Sequence, residues 1–143
     1  MAEDYPVVGL ETEARDAAEL LAVRRLPGLI VVDGSGKPHS VLPASQVVRF
    51  LVPRYVQDDP SLARVIDEPM ADRVAEKLAT LTVRQLLPSE PVELPVVNHD
   101  DTVVEVAALM ARLRCPLVAV VKDRDIVGAI TASRLLELVI TPR

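Results

Sequence analysis

The chain has 143 residues, of which half are apolar, and a formal net charge of −5 at pH 7. This length is typical of one domain, or of two small ones that share a core. The acidic balance argues against a general nucleic-acid binder, which would carry a basic stripe. The first residues lack the basic flank and apolar run of a signal peptide, and no apolar run is long enough to span a membrane. We therefore expect a cytoplasmic protein that makes no membrane contact.

The composition also limits the core and the chemistry. With two Tyr, one Phe and no Trp, the core must be aliphatic. The single cysteine, Cys115, excludes an internal disulfide, and its place between an apolar helix and a proline indicates a buried structural thiol. The two histidines, His39 and His99, have no Cys or carboxylate at metal-ligand spacing. No paired acid and base and no activated nucleophile is present, so we do not expect an enzyme.

The sequence contains the same unit twice. Laid without a gap over Pro95 to Val121, the stretch Pro6 to Val32 is identical at ten of 27 positions. One residue is then lost, and VLPASQV (Val41–Val47) falls on AITASRL (Ala129–Leu135). Internal duplication of this kind indicates a unit that buries its apolar face against a second copy.

The first copy begins with a predicted strand at Tyr5–Val8. A polar turn, Glu11-Thr12-Glu13, supplies side-chain oxygens that can cap a helix. We expect Pro27 to end the helix that follows, because proline cannot donate the helical hydrogen bond. The periodic apolar face of this helix consists of Ala14, Ala17, Ala18 and Leu21.

Two further strands, Leu29–Asp33 and His39–Leu42, form a predicted hairpin through Gly34-Ser35-Gly36. With Lys37 this turn resembles a phosphate-binding loop only superficially, because it is short and lies within a hairpin. The last helix of the copy is predicted over Ala44–Tyr55, and Pro43 suits its start.

Between the copies we predict an ordered connector. Its first part, Gln57–Pro60, reads as an acidic, solvated loop. Asp72 is a candidate cap for a helix with Val74, Leu78 and Leu81 on one side. A short turn over Thr82–Leu87 then leads to the second copy.

The second copy follows the same plan. A strand at Leu94–Val97 precedes the cap Asp100-Asp101-Thr102 and a helix that Pro116 is expected to end. The apolar face of that helix consists of Val103, Val106, Ala107, Met110 and Leu113. The remaining elements are a hairpin and a helix with Thr131 as N-cap, predicted at Leu117–Val121, Ile126–Ile130 and Ala132–Ile140.

A β-α-β-β-α unit present twice, with a strand that runs into a helix start of the form G-h-x-T-x-x-D, resembles the CBS domain pair, or Bateman module. The resemblance covers nearly the whole chain and is better in the second copy, around GAITASR (Gly128–Arg134). It implies an α+β (α/β-like) fold of two repeats packed in pseudo-twofold fashion. The expected boundaries are residues 1–56 for the first repeat, 57–87 for the connector and 88–143 for the second repeat, with no further domain attached.

The resemblance also implies a function and a site. Such pairs often form homodimers and regulate a partner protein, and their clefts can hold AMP, ADP, ATP or S-adenosylmethionine. In the motif the Thr usually meets a phosphate and the Asp usually holds the ribose. The candidate ligand-binding residues are therefore Gly128, Ile130, Thr131, Ser133 and Arg134, with a weaker first site at Pro43, Ser45 and Gln46.

Both sites depart from the motif. Arg134 and Gln46 stand where the ribose carboxylate is expected, and Pro43 replaces the Thr and removes an N–H group. Arg134 either faces an anion at the helix N-terminus, or it is solvated or paired with a nearby acid such as Asp123 or Asp125. Tyr5 either stacks on a base or is a partly exposed edge residue.

Two functions remain open at this point. The first is a regulatory sensor that binds an adenosine-type nucleotide or a related anion. The second is a ligand-free dimerisation or interaction module in which both nucleotide sites are degenerate.

Overall fold

The computed structural model of the protein describes residues 4–51, 58–59, 61, 68–91 and 93–141, with the backbone alone at 68–71 and 74. Each repeat folds as β-α-β-β-α, which confirms the predicted α+β fold of two similar repeats. The first repeat comprises β1 (Val7–Gly9), α1 (Ala14–Val23), β2 (Gly28–Val32), β3 (Pro38–Pro43) and α2 (Ala44–Leu51). The connector contributes α3 (Glu68–Thr80) and α4 (Val83–Leu86). The second repeat comprises β4 (Val96–Asn98), α5 (Val103–Leu113), β5 (Leu117–Lys122), β6 (Asp125–Thr131) and α6 (Ala132–Ile140).

The two repeats form matching three-stranded sheets. The strand order is β1-β2-β3 in one sheet and β4-β5-β6 in the other, with the first pair parallel and the second antiparallel in each. Both antiparallel pairs carry a register irregularity at the same place, between Val31 and Val32 and between Val120 and Val121. The duplication seen in the sequence is therefore preserved down to local backbone geometry.

The first helix of each repeat ends earlier than predicted. α1 ends at Val23 and α5 at Leu113, before Pro27 and Pro116 are reached. The cause is a left-handed residue in each case: Arg25 has a φ of 52° and Arg114 a φ of 51°. In this conformation the next amide turns back onto the helix, with Leu26 N donating to Leu21 O at 3.1 Å and Cys115 N to Met110 O at 3.3 Å.

The backbone amides at the starts of α1 and α5 donate to different kinds of acceptor. In α5 the predicted cap is confirmed, because Thr102 Oγ1 accepts from Glu105 N at 3.2 Å. For α1 the prediction of a side-chain cap is wrong. Glu13 makes no capping hydrogen bond, and Thr12 Oγ1 accepts a hydrogen bond from Gly9 N instead. The first amide of α1, that of Ala14, donates to Leu81 O at 2.8 Å. The connector backbone thus takes over the role predicted for a side chain.

The end of the connector belongs to the structure of the first repeat. Val83 N donates to Thr12 O at 2.8 Å and Arg84 N to Leu10 O at 2.9 Å, which fixes α4 on the loop before α1. Val83 and Leu86 are fully buried in the core of the first repeat. The turn predicted at Thr82–Leu87 is this short helix, and Gln85 Oε1 accepts from Thr82 N at 2.9 Å.

Three other boundaries differ from the prediction. The connector helix begins at Glu68, so Asp72 lies within it and does not cap it. The first strands begin at Val7 and Val96, two residues later than predicted. The predicted end of α2 at Tyr55 and part of the acidic loop fall outside the described residues. Within that loop Asp58 and Asp59 are exposed, and Asp59 accepts from Ser61 N and Oγ.

A third core lies between the sheets and joins the repeats. Each repeat has its own buried cluster, and a separate cluster draws equivalent residues from both, namely Tyr5 and Leu94, Ile30 and Ala119, and Val41 and Ala129. This pairing of equivalent positions gives the packing its pseudo-twofold character. It also corrects the expectation for Tyr5, which is neither exposed nor available to a base because its ring lies in this core.

The equivalence is broken at one pair, Gly28 and Leu117. Leu117 is fully buried in the shared core, whereas Gly28 has no side chain and its carbonyl accepts a hydrogen bond from the Tyr5 hydroxyl. Burial disfavours the phenolate more than this bond favours it, and it raises the pKa of Tyr5 to about 12. The first repeat thus supplies an aromatic ring and a glycine where the second supplies two leucines.

We predict that Gly28→Ala destabilises the fold by about 1–3 kcal/mol, because the added methyl group overpacks a full core. Its Cβ would lie 3.0 Å from Leu42 O and 3.3 Å from Val41 Cγ1. Chemical denaturation measures the change. The control is Gly34→Ala in the exposed hairpin turn, where a Cβ meets nothing within 4 Å. Equal stability of the two variants would contradict this account of Gly28.

We predict that Arg114→Gly stabilises the protein by about 0.5–1 kcal/mol. A left-handed conformation costs a non-glycine residue about 1–2 kcal/mol, and the greater unfolded-state freedom of glycine returns part of that gain. Thermal unfolding of Arg114→Gly and of Arg112→Gly provides the test, since Arg112 lies in the last turn of α5 where glycine costs about 1 kcal/mol. A loss of stability in both variants would show that the left-handed residue is unstrained.

Candidate functional site

The better candidate site is the turn where β6 passes into α6. Thr131 is the N-cap of α6, as predicted, and its Oγ1 accepts from Arg134 N at 3.1 Å. The amide of Ala132 donates to Pro116 O at 2.9 Å and ties the helix start to β5. The sequence folds in this way because Thr131 can end the strand in an extended conformation and cap the helix with the same side chain.

The structure brings three of the five predicted residues to one helical turn. The Ser133 side chain is exposed, while Thr131 and Arg134 are partly buried. Gly128 and Ile130 are buried within β6, and Ile130 belongs to the core of the second repeat. The polar part of the candidate site therefore consists of Thr131, Ser133 and Arg134.

Arg134 pairs with an acid of its own helix. Its Nη1 lies 3.1 Å from Glu137 Oε1, with 29% of the Arg134 side chain and 63% of the Glu137 side chain exposed. The prediction that Arg134 pairs with Asp123 or Asp125 is wrong. These two residues lie at the hairpin turn, about 20 Å along β6 from Thr131. The spacing of three residues between Arg134 and Glu137 on a helix was the signal that could have identified the pair.

The first site has the same backbone but different side chains. Ala44 N donates to Pro27 O at 3.0 Å, which matches the bond from Ala132 to Pro116. Gln46, at the position equivalent to Arg134, donates from Nε2 to Leu86 O at 3.0 Å. Ser45 is exposed and Pro43 is partly buried.

Ser40 takes the position that Gly128 holds in the second repeat. Its side chain is fully buried, and its Oγ lies 2.9 Å from His39 Nδ1. In the first repeat, two motif positions that could contact a ligand, Ser40 and Gln46, thus make polar contacts within the protein instead.

The remaining candidates have structural roles. Cys115 is partly buried and its Sγ donates to Leu117 O at 3.0 Å. The carboxylate of Asp33 accepts from Ser35 N, Ser35 Oγ and Lys37 N, so this glycine-containing turn serves an internal anion. These bonds hold the pKa of Asp33 below its ordinary value, the contact with the Ser35 side chain being the largest cause. Among the described residues no group of three or more His, Cys, Asp or Glu side chains could hold a metal ion.

The contact between Gln46 and Leu86 is the feature of the site region that the sequence did not reveal. It joins residues 40 positions apart, and the acceptor is a backbone carbonyl, which any residue carries. No side-chain pattern signals such a bond.

Each repeat contains a strand that leads directly into a helix, and comparison with known proteins gives the family of the chain. The family model described as the CBS domain matches residues 1–53 and 83–141. The chain therefore belongs to the CBS domain family. Among curated protein sequences no match to this chain was found.

Solved structures agree with this assignment. A CBS domain-containing protein of unknown function from Kribbella flavida is 78% identical, with 98% of this chain and 95% of that chain covered and a TM-score of 0.88. The CBS domain of a CBS domain-containing membrane protein from Sphaerobacter thermophilus is 22% identical over 95% of this chain and 82% of that chain, with a TM-score of 0.73. CBSX2 in complex with AMP is 20% identical over 95% of this chain and 87% of that chain, with a TM-score of 0.63. The last two share the fold.

Within the described part of the chain, every helix is too short or too polar to cross a membrane.

We predict that Gln46→Ala destabilises the protein by about 1 kcal/mol, because it removes a hydrogen bond and leaves the Leu86 carbonyl unpaired. Gln46→Glu should cost at least as much, since its carboxylate would face that carbonyl oxygen without a donor. The control is Ser45→Ala, one residue away and exposed. Urea denaturation compares the three variants. If Gln46→Ala is as stable as Ser45→Ala, the Gln46 hydrogen bond does not contribute to stability.

Proposed function

We propose that the protein is a regulatory CBS pair that acts as a cytoplasmic homodimer and binds an adenine nucleotide or a related anion at the start of α6. AMP, ADP, ATP and S-adenosylmethionine are the candidate ligands. The observation that carries this proposal is the gathering of an exposed hydroxyl, Ser133, and a guanidinium, Arg134, on the first turn of a capped helix. Binding at this turn would alter the interaction with a regulated partner protein.

The electrostatics of the turn favour an anion. A helix N-terminus carries a partial positive charge, so a cation in its first turn is unfavourable by about 0.3–1 kcal/mol. The pair that Arg134 makes with Glu137 is only partly buried and offsets this cost by about 0–1 kcal/mol. A phosphate or carboxylate in place of Glu137 could accept a charge-assisted, bidentate hydrogen bond from Arg134.

The nucleotide part of the proposal has support from the fold. CBSX2, which shares this fold, has been crystallised in complex with AMP. In the present chain the second repeat keeps Gly128 and Thr131 of the motif, and the substitution of Arg134 for the ribose carboxylate points to recognition through the phosphate end of the ligand.

Regulation requires that the ligand binds two states of the protein differently. The start of α6 is tied to β5 through the bond from Ala132 to Pro116, and β5 contributes Leu117 and Ala119 to the core between the repeats. A ligand that shifted the start of α6 would therefore act on the packing of the two repeats.

A ligand-free dimerisation or interaction module is the second candidate. It is favoured by the internal engagement of both key side chains, Gln46 with Leu86 and Arg134 with Glu137. Neither site offers a carboxylate at the ribose position of the motif. In this alternative the turns serve only to cap their helices and to hold the repeats together.

We predict that one adenine ligand raises the melting temperature. At 100 times its dissociation constant a ligand adds about 2.7 kcal/mol, which for this chain length corresponds to roughly 6–15 °C. The panel is AMP, ADP, ATP, S-adenosylmethionine, NAD and inorganic phosphate. Arg134→Ala should abolish the shift, whereas Gln46→Ala, the equivalent change in the first repeat, should leave it intact.

Each outcome separates the candidates. A shift that survives Arg134→Ala would refute the site at α6 while keeping a nucleotide-binding function. A shift lost only in Gln46→Ala would move the site to the first repeat. No shift with any ligand of the panel would establish the ligand-free interaction module as the better description.

A further inference from the structure

The two repeats differ in which residues complete their cores. In the first repeat, Val83 and Leu86 of α4 are fully buried in the core cluster. The same cluster contains Ala14 and Ala17 of α1. In the second repeat, the described residues of the corresponding cluster all belong to that repeat, and Val106 takes the position equivalent to Ala17. The connector therefore supplies to the first repeat what the second repeat supplies from its own helices.

The sizes of the core side chains follow this difference. At three equivalent positions the residue of the first repeat is the smaller one, and the pairs are Ala14 and Val103, Ala17 and Val106, and Val47 and Leu135. All six residues belong to the core cluster of their repeat or pack against it. Because protein cores are close-packed, the additional methyl groups of the second repeat occupy volume that in the first repeat is available to another element. We call Ala14, Ala17 and Val47 the α4 cradle.

The starts of the first helices show the same dependence on the connector. The side chain of Thr102 caps α5, whereas Ala14 N of α1 donates to Leu81 O, just before α4. In return, Val83 N and Arg84 N donate to the loop before α1 at 2.8 and 2.9 Å. These bonds join the same two segments and break together when the segments separate. A helix of four residues is not stable by itself, so α4 is helical only while it is docked.

We infer that α4 is a releasable latch on the first repeat, and that its release opens the first repeat while the second repeat stays folded. Release exposes Val83 and Leu86 together with the α4 cradle. The docked and released states thus differ in the apolar surface that they present to a partner protein. Two states that a partner can bind differently are what a regulatory protein requires.

Gln46 links the latch to the candidate ligand turn of the first repeat. Its Nε2 donates to the carbonyl of Leu86, the last residue of α4. An acceptor that bound at the start of α2 would compete with this carbonyl for the Gln46 amide group, so binding there and docking of α4 would weaken each other by the same factor. The inference goes beyond the proposed function, because it concerns the first repeat and does not require a ligand at α6.

Hydrogen exchange of the full chain, followed by NMR at increasing urea concentrations, tests the latch. We expect the amides of Ala14, Val83 and Arg84 to share one opening reaction that is at least about 10-fold more frequent than the opening at Ala119. Ala119 N donates to Pro95 O in the second repeat. The shared reaction should depend weakly on urea, because release of α4 exposes little surface. Protection and urea dependence equal to those of Ala119 would overturn the inference, since α4 would then open only with the whole molecule.

A transfer of second-repeat residues into the α4 cradle gives a second test. Ala14→Val combined with Ala17→Val fills the cradle as the second repeat does. We expect exchange of the α4 amides to accelerate about 10-fold or more, because the docked state is overpacked, while the amides between β2 and β3 keep their protection. The control is Ala22→Val, which adds the same methyl groups at an exposed position of α1 and should leave the exchange of α4 unchanged.

The double variant can refute the latch in two ways. Unchanged protection of α4 would show that Ala14 and Ala17 do not provide the space that α4 needs. Loss of protection in β2 and β3 together with α4, or failure of the variant to fold, would show that the first repeat has no folded form without α4. The wild-type comparison with Ala119 is independent of both results.

Discussion

The fold depends on the packing of one sheet against the other. Each three-stranded sheet is covered on one side by the helices of its own repeat, and the opposite side needs the other repeat to exclude water. The shared core between the sheets meets this need with residues at equivalent positions of the two repeats, among them Ile30 and Ala119. Neither repeat buries its sheet on both sides alone, which is why the unit occurs twice in one chain.

The connector is itself part of the packed structure and does more than link the two repeats. Its last helix supplies Val83 and Leu86 to the core of the first repeat, and its backbone satisfies the first amide of α1. The Gln46 side chain then closes the same region by donating to the Leu86 carbonyl. The core of the first repeat thus includes residues of the connector. In its candidate ligand turn, the Gln46 side chain is used for a hydrogen bond to that connector. In the second repeat, Thr131 accepts a hydrogen bond from the helix backbone and Arg134 pairs with Glu137.

The sequence allowed the fold class and most elements to be predicted, because the pattern for each helix and strand occurs in both copies. A hairpin or helix that was weakly marked in one copy was marked again in the other, and α6 was predicted with its observed limits. The errors arose where local rules compete with long-range contacts. Prolines were expected to end the helices, but left-handed arginines end them first. Glu13 was expected to be part of a cap, but the Leu81 carbonyl, distant in sequence, satisfies the helix start.

The same distinction applies to the candidate sites. The turn at Thr131 was predictable because strand, cap and helix follow one another along the chain. The partners of Gln46 and the buried position of Tyr5 were not, since each depends on how the repeats and the connector meet. A motif position therefore indicates where a side chain starts, and only the tertiary structure decides whether it faces a cleft or its own backbone.

The unlike pair of Gly28 and Leu117 has a consequence for the history of the chain. Two copies of one ancestral unit would be interchangeable, and either could pack on a copy of itself in another molecule. Here Tyr5 with Gly28 on one side and Leu94 with Leu117 on the other fill a single shared core. A change of size at any of these four positions must be matched at another, so the two halves have lost their independence as units of sequence variation. The repeats have become complements, and each half now specifies the other as its partner within the chain.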